Sequence, residues 1–382
     1  MTQPLLLTGG TVFTRPGEPP LRDAAVLIEG GTIVAVGPPS RSNARVLDCA
    51  GSSIFAGFWN CHVHFFERKW ANAAEMPAEE LAAQLQEFAR YGFTSLFDLS
   101  SDLRNTKRLR ERIESGEVPG PAIRTTGEGL VPPEAMPADP VLRVLGMMPT
   151  SMPVVQTPEE ALRACERLLA AGVDAVKLFA SSNSGASLLS EDVMRAACEA
   201  AHRAGKPVFV HPNTDDDVMR ALRAGVDIIA HTTPRAASWS EELTGLARRC
   251  NAALIPTLHL WQELLRHDRV SLQRQMTANA LGQVRAWRQA GLALLFGTDA
   301  GAVEVNPAGE YALMMQAGVP FDALLASLTT APAARFAPGE ALGEVARGFR
   351  ADITVVNGDP SQHPVRLADV RYTIARGTLI YG

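Results

Sequence analysis

The sequence predicts an α/β protein: a (β/α)8 barrel over residues 57–344, with a small β-sandwich assembled from the two chain ends, 1–56 and 345–382. Three observations predict it. Both ends read as short β-strands, the middle repeats a unit of amphipathic helix, glycine and short apolar strand, and five of those strands finish on a polar or ionisable residue.

Composition limits the function. Hydrophobic residues make up 46% of the 382 and charged residues 20%, which excludes a disordered chain. With 36 Lys+Arg against 41 Asp+Glu the net charge is −5, and there is no basic footprint for nucleic acid. No apolar run approaches a membrane span, and the start MTQPLLLTGG lacks the basic region and long apolar core of a signal peptide, so a soluble, cytoplasmic protein is expected. The five cysteines are odd in number and never in CxxC spacing, which suggests buried thiols rather than disulfides or a thiolate zinc site.

In chain order, AAVLIEGGTIVAVG places Gly30-Gly31 between two β-rich runs, the signature of a tight hairpin, and ARVLDCAG follows as a further strand. ADITVVNGDP and RYTIARGTLIYG make the other end β as well. Between them recur ARYGFTSLFD, AAGVDAVKLF, RAGKPVFVH, RAGVDIIAH and QAGLALLFGTD. Each glycine (Gly92, Gly172, Gly205, Gly225, Gly291) sits where a helix ends on a residue of positive φ, and the apolar run beyond it is too short for a helix. Repeated helix-then-strand units mean a parallel sheet covered on both faces. The strand ends Asp98, Lys177, His211, His231 and Asp299 separate a closed barrel from a doubly wound sheet. Ionisable groups ending apolar runs are costly without partners, and a barrel gathers all strand ends at one mouth. The Pro- and Met-rich stretch 127–156 is too long for a routine connection and reads as a functional loop.

The first barrel strand runs into Asn60-Cys61-His62-Val63-His64. Residues i and i+2 of a strand share a face, so His62 and His64 form a ready pair of metal ligands, the alternative being two core histidines. Of eight histidines, four (His62, His64, His211, His231) end proposed strands. Lys177 in AVKLFA is either a lysine snorkelling to the mouth or a buried amine of lowered pKa. Such an amine can take up CO2, giving an anionic carbamate that bridges two metals. Asp299 in Phe296-Gly297-Thr298-Asp299-Ala300-Gly301 is either the N-cap of the next helix or a metal ligand that accepts a proton from water.

Residues 57–64, Lys177, His211, His231 and 297–301 together resemble the amidohydrolase superfamily of metal-dependent hydrolases. The relay GVDAVKLFA, HRAGKPVFVH, ALRAGVDIIAH and GTDAG is similar to its imidazolonepropionase-like and Xaa-Pro dipeptidase (prolidase) branch, and Leu342-Gly343-Glu344, Gly348 and Ala351-Asp352-Ile353 look like the family's exit from the barrel. The resemblance implies two divalent metal ions, expected to be zinc. His62, His64 and Asp299 would hold the more buried ion, His211 and His231 the second, and carboxylated Lys177 would bridge both. It further implies that a shared hydroxide attacks a carbonyl while Asp299 takes its proton and passes it to the leaving amine.

The chain also departs from the family pattern. Ala56-Gly57 and Asn60 stand for Pro-Gly and Asp before the histidine pair, Pro212-Asn213-Thr214 follows His211, Thr232-Thr233-Pro234 follows His231, and Ser181–Ser184 replaces a Gly-rich loop. Prolidase specificity is therefore not carried over. The first reading is a binuclear hydrolase of a C–N bond in an amide, a dipeptide such as Xaa-Pro, or a carbamate. A mononuclear deaminase or cyclic-amidine hydrolase is the alternative, and Thr214, where superfamily deaminases carry a Glu, counts against deamination. A metal-free binding barrel is disfavoured because all six ligand positions hold competent residues. On the substrate side, Arg235 could pair with a carboxylate, and His259, placed at the end of the seventh strand, could hydrogen-bond substrate. Trp59, Phe65, Phe66 and Trp70, with Met136, Met147, Met148 and Met152, could face an apolar portion or simply pack. The expected partner is a small molecule, with no nucleic acid or membrane, in a chain that could form a homo-oligomer.

Overall fold

The computed structural model describes residues 3–38, 43–134, 152–182 and 185–382. Strand β1 (Leu5–Val12) pairs antiparallel with β2 (Leu21–Glu29), which turns through Gly30-Gly31 into β3 (Thr32–Gly37). Glu29 opposes Thr32 across that turn, and φ of 54° and 79° at the two glycines makes it the tight hairpin expected. β4 (Arg45–Asp48) and β5 (Ser52–Ala56) both lie parallel to β1, one along Leu5–Thr8 and the other at Thr11–Val12, so the sheet forks along β1. The fork falls beside Gly10, where a Cβ would stand 2.8 Å from Ile54 Cδ1.

After a single glycine the chain enters β6 (Phe58–Val63), which with β7 (Phe93–Asp98) and β8 (Ala122–Thr125) makes a three-stranded parallel sheet. β9 (Val176–Phe179), β10 (Val208–His211), β11 (Ile228–Ala230), β12 (Ala253–Ile255) and β13 (Ala293–Leu294) form a second, five-stranded one, also parallel. Helices precede most of these strands, and Gly92, Gly172, Gly205, Gly225 and Gly291 all take the positive φ predicted for helix ends. The two ladders are joined on both flanks. Leu130 N donates to Lys177 O (2.9 Å) and Phe179 N to Leu130 O (2.9 Å) on one side. On the other, Cys61 N donates to Phe296 O (2.8 Å), Asp299 N to His62 O (2.9 Å) and His64 N to Ala300 O (2.8 Å).

The second flank needs close approach of two backbones, and Gly301 provides it with φ of 106° and a position where a Cβ would stand 2.8 Å from His64 O. Gly301→Ala is expected to cost about 1–3 kcal/mol through the disallowed φ and this clash, read as a lower midpoint in thermal or denaturant unfolding.

The chain returns through β14 (Ile353–Asn357), β15 (Val370–Ala375) and β16 (Thr378–Tyr381). β14 pairs antiparallel with β5 from Ile353 opposite Ala56 to Asn357 opposite Ser52. Both ends therefore share one eight-stranded mixed sheet, ordered β16-β15-β14-β5-β1-β2-β3 with β4 on β1. That sheet has its own apolar core around Leu7, Val26, Ile33, Ile54, Ile353 and Ile374. Among the described residues no helix is long and apolar enough to cross a membrane. All five cysteines are free thiols, four of them buried.

Candidate metal centre

β6 places His62 on its inward face, and His64 follows two residues on, one beyond the strand. Their Nε2 atoms converge on one carboxylate oxygen, Asp299 Oδ1, at 3.1 and 2.8 Å. Three ligand-type atoms thus lie within 4.8 Å of one another on buried side chains. The His231 ring centroid stands 4.7 Å from that of His62 and 4.5 Å from that of His211. Lys177 lies inside β9 rather than at its end, 1% exposed, with no hydrogen-bond partner for Nζ among the described residues. All six residues line a single cavity of about 310 Å³. Asp299 caps no helix, since the next one begins at Ala308.

Three of these strand ends turn sharply. Asp299 (φ 63°), His231 (φ 88°) and Thr257 (φ 43°) take left-handed conformations that non-glycine residues avoid, a strain that packing elsewhere must hold. Asn60 is one such brace. It donates through Nδ2 to Thr298 Oγ1 (2.7 Å) and accepts at Oδ1 from Thr298 N (3.1 Å) and His62 N (3.3 Å), locking the segment that carries Asp299 onto β6. Thr257 is another, its Oγ1 2.7 Å from His231 Nδ1. Asp98 ends its strand but does not line the cavity. Its carboxylate accepts from Phe65 N and from the hydroxyls of Ser101, Thr106 and Thr125, anchoring the chain just past His64.

Burial sets the protonation states. It lowers His62 to about 4 against the opposing charge of Asp299, lowers His211 to about 3, and holds His231 well below its usual value. Lys177 is brought down to about 7 by burial, partly offset by Asp299. Burial works against ionisation of Asp299, yet the positive ends of His62 and His64 and their hydrogen bonds outweigh it, so its carboxyl stays well below the ordinary range. Neutral imidazoles, an ionised carboxylate and an easily deprotonated amine are the forms in which these groups bind metal.

Of the residues expected to meet substrate, Arg235 lines the cavity, exposed and without an ion pair among the described residues. His259 does not line it. β12 ends at Ile255, Thr257 reverses the chain, and His259 falls on the helix Leu258–Leu264, its ring against Gly309. Phe66 lines the cavity, stacked 4.5 Å from His64, and so does Met152. Trp59 packs on Phe336, and Phe65 on Trp70, away from it. Met136, Met147 and Met148 lie outside the described residues. Trp261, unassigned in the sequence, is a cavity residue whose Nε1 donates to Thr232 Oγ1 (2.9 Å). Its signal was its place three residues after Leu258 on a helix, which a strand reading of PTLHLW hides.

The model of the amidohydrolase family matches residues 53–380, well over half of the chain. The chain belongs to the amidohydrolase family. Its members are hydrolases that act on carbon–nitrogen bonds of small molecules and generally use divalent metals. In fold, this amidohydrolase is similar to an Xaa-Pro dipeptidase with bound methionine (TM-score 0.84, 22% identity, covering 99% of this chain and 100% of that one). It is similar to a putative prolidase from Bifidobacterium longum (TM-score 0.82, 26% identity, 100% and 95%). It is also similar to a prolidase complexed with n-methylphosphonate-L-proline (TM-score 0.79, 25% identity, 98% and 99%). An uncharacterized protein of Mycobacterium tuberculosis is 31% identical over 125 residues, which span 31% of this amidohydrolase and about a third (33%) of that relative's length.

Proposed function

We propose that this amidohydrolase is a binuclear metal-dependent hydrolase that cleaves the C–N bond of a small amide, dipeptide or carbamate carrying a carboxylate. One observation carries the reading: a buried amine, Lys177 Nζ, stands without a hydrogen-bond partner among the described residues, facing only the Phe179 ring at 5.5 Å, in the cavity where His62, His64 and Asp299 converge beside His211 and His231. An unpaired interior amine is costly, and carboxylation turns it into the anion a dication site needs.

His62, His64 and Asp299 would hold one ion, His211 and His231 the other, and carboxylated Lys177 both, a nitrogen and oxygen donor set that suits zinc. Bound there, the metals supply Lewis acidity and a water of lowered pKa. The rest falls to the chain. Asp299, kept ionised by its two imidazoles, accepts the proton of the attacking water and delivers it to the departing amine nitrogen. Arg235 orients a substrate carboxylate at the rim, and Phe66, Leu260 and Trp261 hold the apolar part and exclude water. Thr214, at the position a deaminase would use for its acid, is engaged as a helix cap on Asp217 N, which supports hydrolysis over deamination.

The two parallel ladders, bonded to one another on both flanks, support a closed (β/α)8 barrel over 57–344. The sheet shared by 1–56 and 345–382, forked at β1 and with a separate core, supports a composite β-sandwich.

The test is elemental analysis of metal-replete protein together with a screen of N-acyl amino acids, Xaa-Pro dipeptides and carbamates. About two ions per chain and turnover of a carboxylate-bearing amide are expected. A stoichiometry of one, or deamination alone, would overturn the proposal. Arg235→Ala is expected to raise KM for such substrates about tenfold with kcat little changed, the modest size reflecting solvent screening at an exposed guanidinium. Initial-rate kinetics on a substrate and its uncharged amide analogue check it.

A further inference from the structure

Among the described residues, five helices are capped by the side chain just before them: Asp102, Thr157, Ser190, Thr214 and Ser240 each accept a bond from the backbone N–H three residues on. Thr257 holds the same place before the helix Leu258–Leu264 and makes no such bond. Its Oγ1 faces His231 Nδ1 at 2.7 Å instead. The helix is capped by a different residue, distant in sequence. Glu310, wholly buried on the helix Ala308–Gln316, accepts from His259 N at 2.8 Å. Gly309 lets the two helices approach closely enough, because a Cβ there would stand 2.6 Å from His259 Nδ1.

An N-cap threonine ordinarily satisfies the backbone N–H two or three residues on, here that of His259 or Leu260, and Glu310 takes the first of these. To cap, Thr257 would have to release His231 and exchange its left-handed backbone (φ 43°) for the extended one of the five caps above. We propose that Glu310 is a positioning residue for His231: by capping the helix in place of Thr257, it reserves that hydroxyl for the imidazole and so fixes the ring's plane and tautomer. With Nδ1–H donated to Thr257 Oγ1, the lone pair stays on Nε2, the form in which a histidine ligates a metal. Remove the Glu310 carboxylate and the orphaned His259 N–H competes for the hydroxyl, leaving His231 free to rotate and exchange tautomers. The consequence for metal binding rests on the reading of His231 as a ligand, whereas the effect on the ring does not.

The experiment uses full-length Glu310→Ala, Glu310→Gln, Thr257→Val and the Glu310→Ala/Thr257→Val double variant. Histidine-selective nitrogen NMR on the metal-free proteins reports the tautomer, with the His231 signals assigned by their loss in His231→Asn, and chelator competition gives zinc affinity. A single Nδ1-protonated form is expected in the wild type and in Glu310→Gln, which keeps an acceptor oxygen. Glu310→Ala and Thr257→Val should each show mixed tautomers and weaken zinc binding about 10–100-fold. The double variant should lose no more than the worse single one, since both act through one contact. Wild-type His231 signals and zinc affinity in a Glu310→Ala protein that merely melts earlier would overturn the proposal, as would additive losses in the double variant. If Glu310→Ala does not fold, Thr257→Val decides, and unchanged His231 signals in it overturn the proposal. Tautomer exchange with unaltered zinc affinity throughout would support the positioning role while overturning His231 as a ligand.

Discussion

Lys177→Ala is expected to lose activity on the order of a thousandfold or more, because removing the one group proposed to join both ions forfeits several kcal/mol of transition-state charge stabilisation. The amine is buried and makes no hydrogen bond among the described residues, so the alanine protein should fold, and circular dichroism should show it unaltered in secondary structure. Short carboxylic acids such as propionate should restore part of the rate by filling the vacated space with an anion. Carboxylation needs the neutral amine, and burial puts that amine's pKa at about 7. Below this value the ammonium form predominates, and above it the reactive base does. At a fixed concentration of dissolved CO2, reactivation of the apoprotein by zinc should therefore quicken as pH rises toward about 7, level off above it and stall as pH falls. Undiminished turnover in Lys177→Ala, or reactivation independent of dissolved CO2, would remove its role.

Asp299→Asn is expected to cut kcat about 10²–10⁴-fold, the range associated with a lost general base, while retaining more of its metal than of its rate. The amide keeps the shape that accepts from His62 and His64 but cannot take up a proton. Rate and zinc content measured on the same preparation separate the two functions. A variant that loses metal first would make Asp299 chiefly a ligand.

How far this centre could be read from the chain follows from the range of each contact. His62 and His64 declare themselves through the two-residue period of a strand, and the strand-end polar residues through contrast with the apolar runs before them. Those signals are local, and of the seven residues they nominated the cavity contains all but Asp98. The braces are another matter. Asn60 reaches Thr298 across 238 positions, Thr257 reaches His231, and Glu310 reaches His259, none with a periodic or spacing signature. His259 shows the converse: PTLHLW looks like the end of an apolar strand, but a left-handed Thr257 turns it into a helix, and the imidazole leaves the cavity while Trp261 enters it. Backbone reversals at non-glycine residues are invisible in composition, since tertiary bonds enforce them against local preference.

β14 lies against β5, and β5 runs through one glycine into the strand that bears His62. Residues far along the chain thus steady the approach to the strand that bears His62. On the ribosome that strand must wait for its distant neighbour, so the nascent polypeptide has little chance of assembling a competent centre early. Maturation should accordingly be late and slow, as expected where the decisive pairings are far apart along the chain, and any loading with metal should follow that pairing rather than precede it.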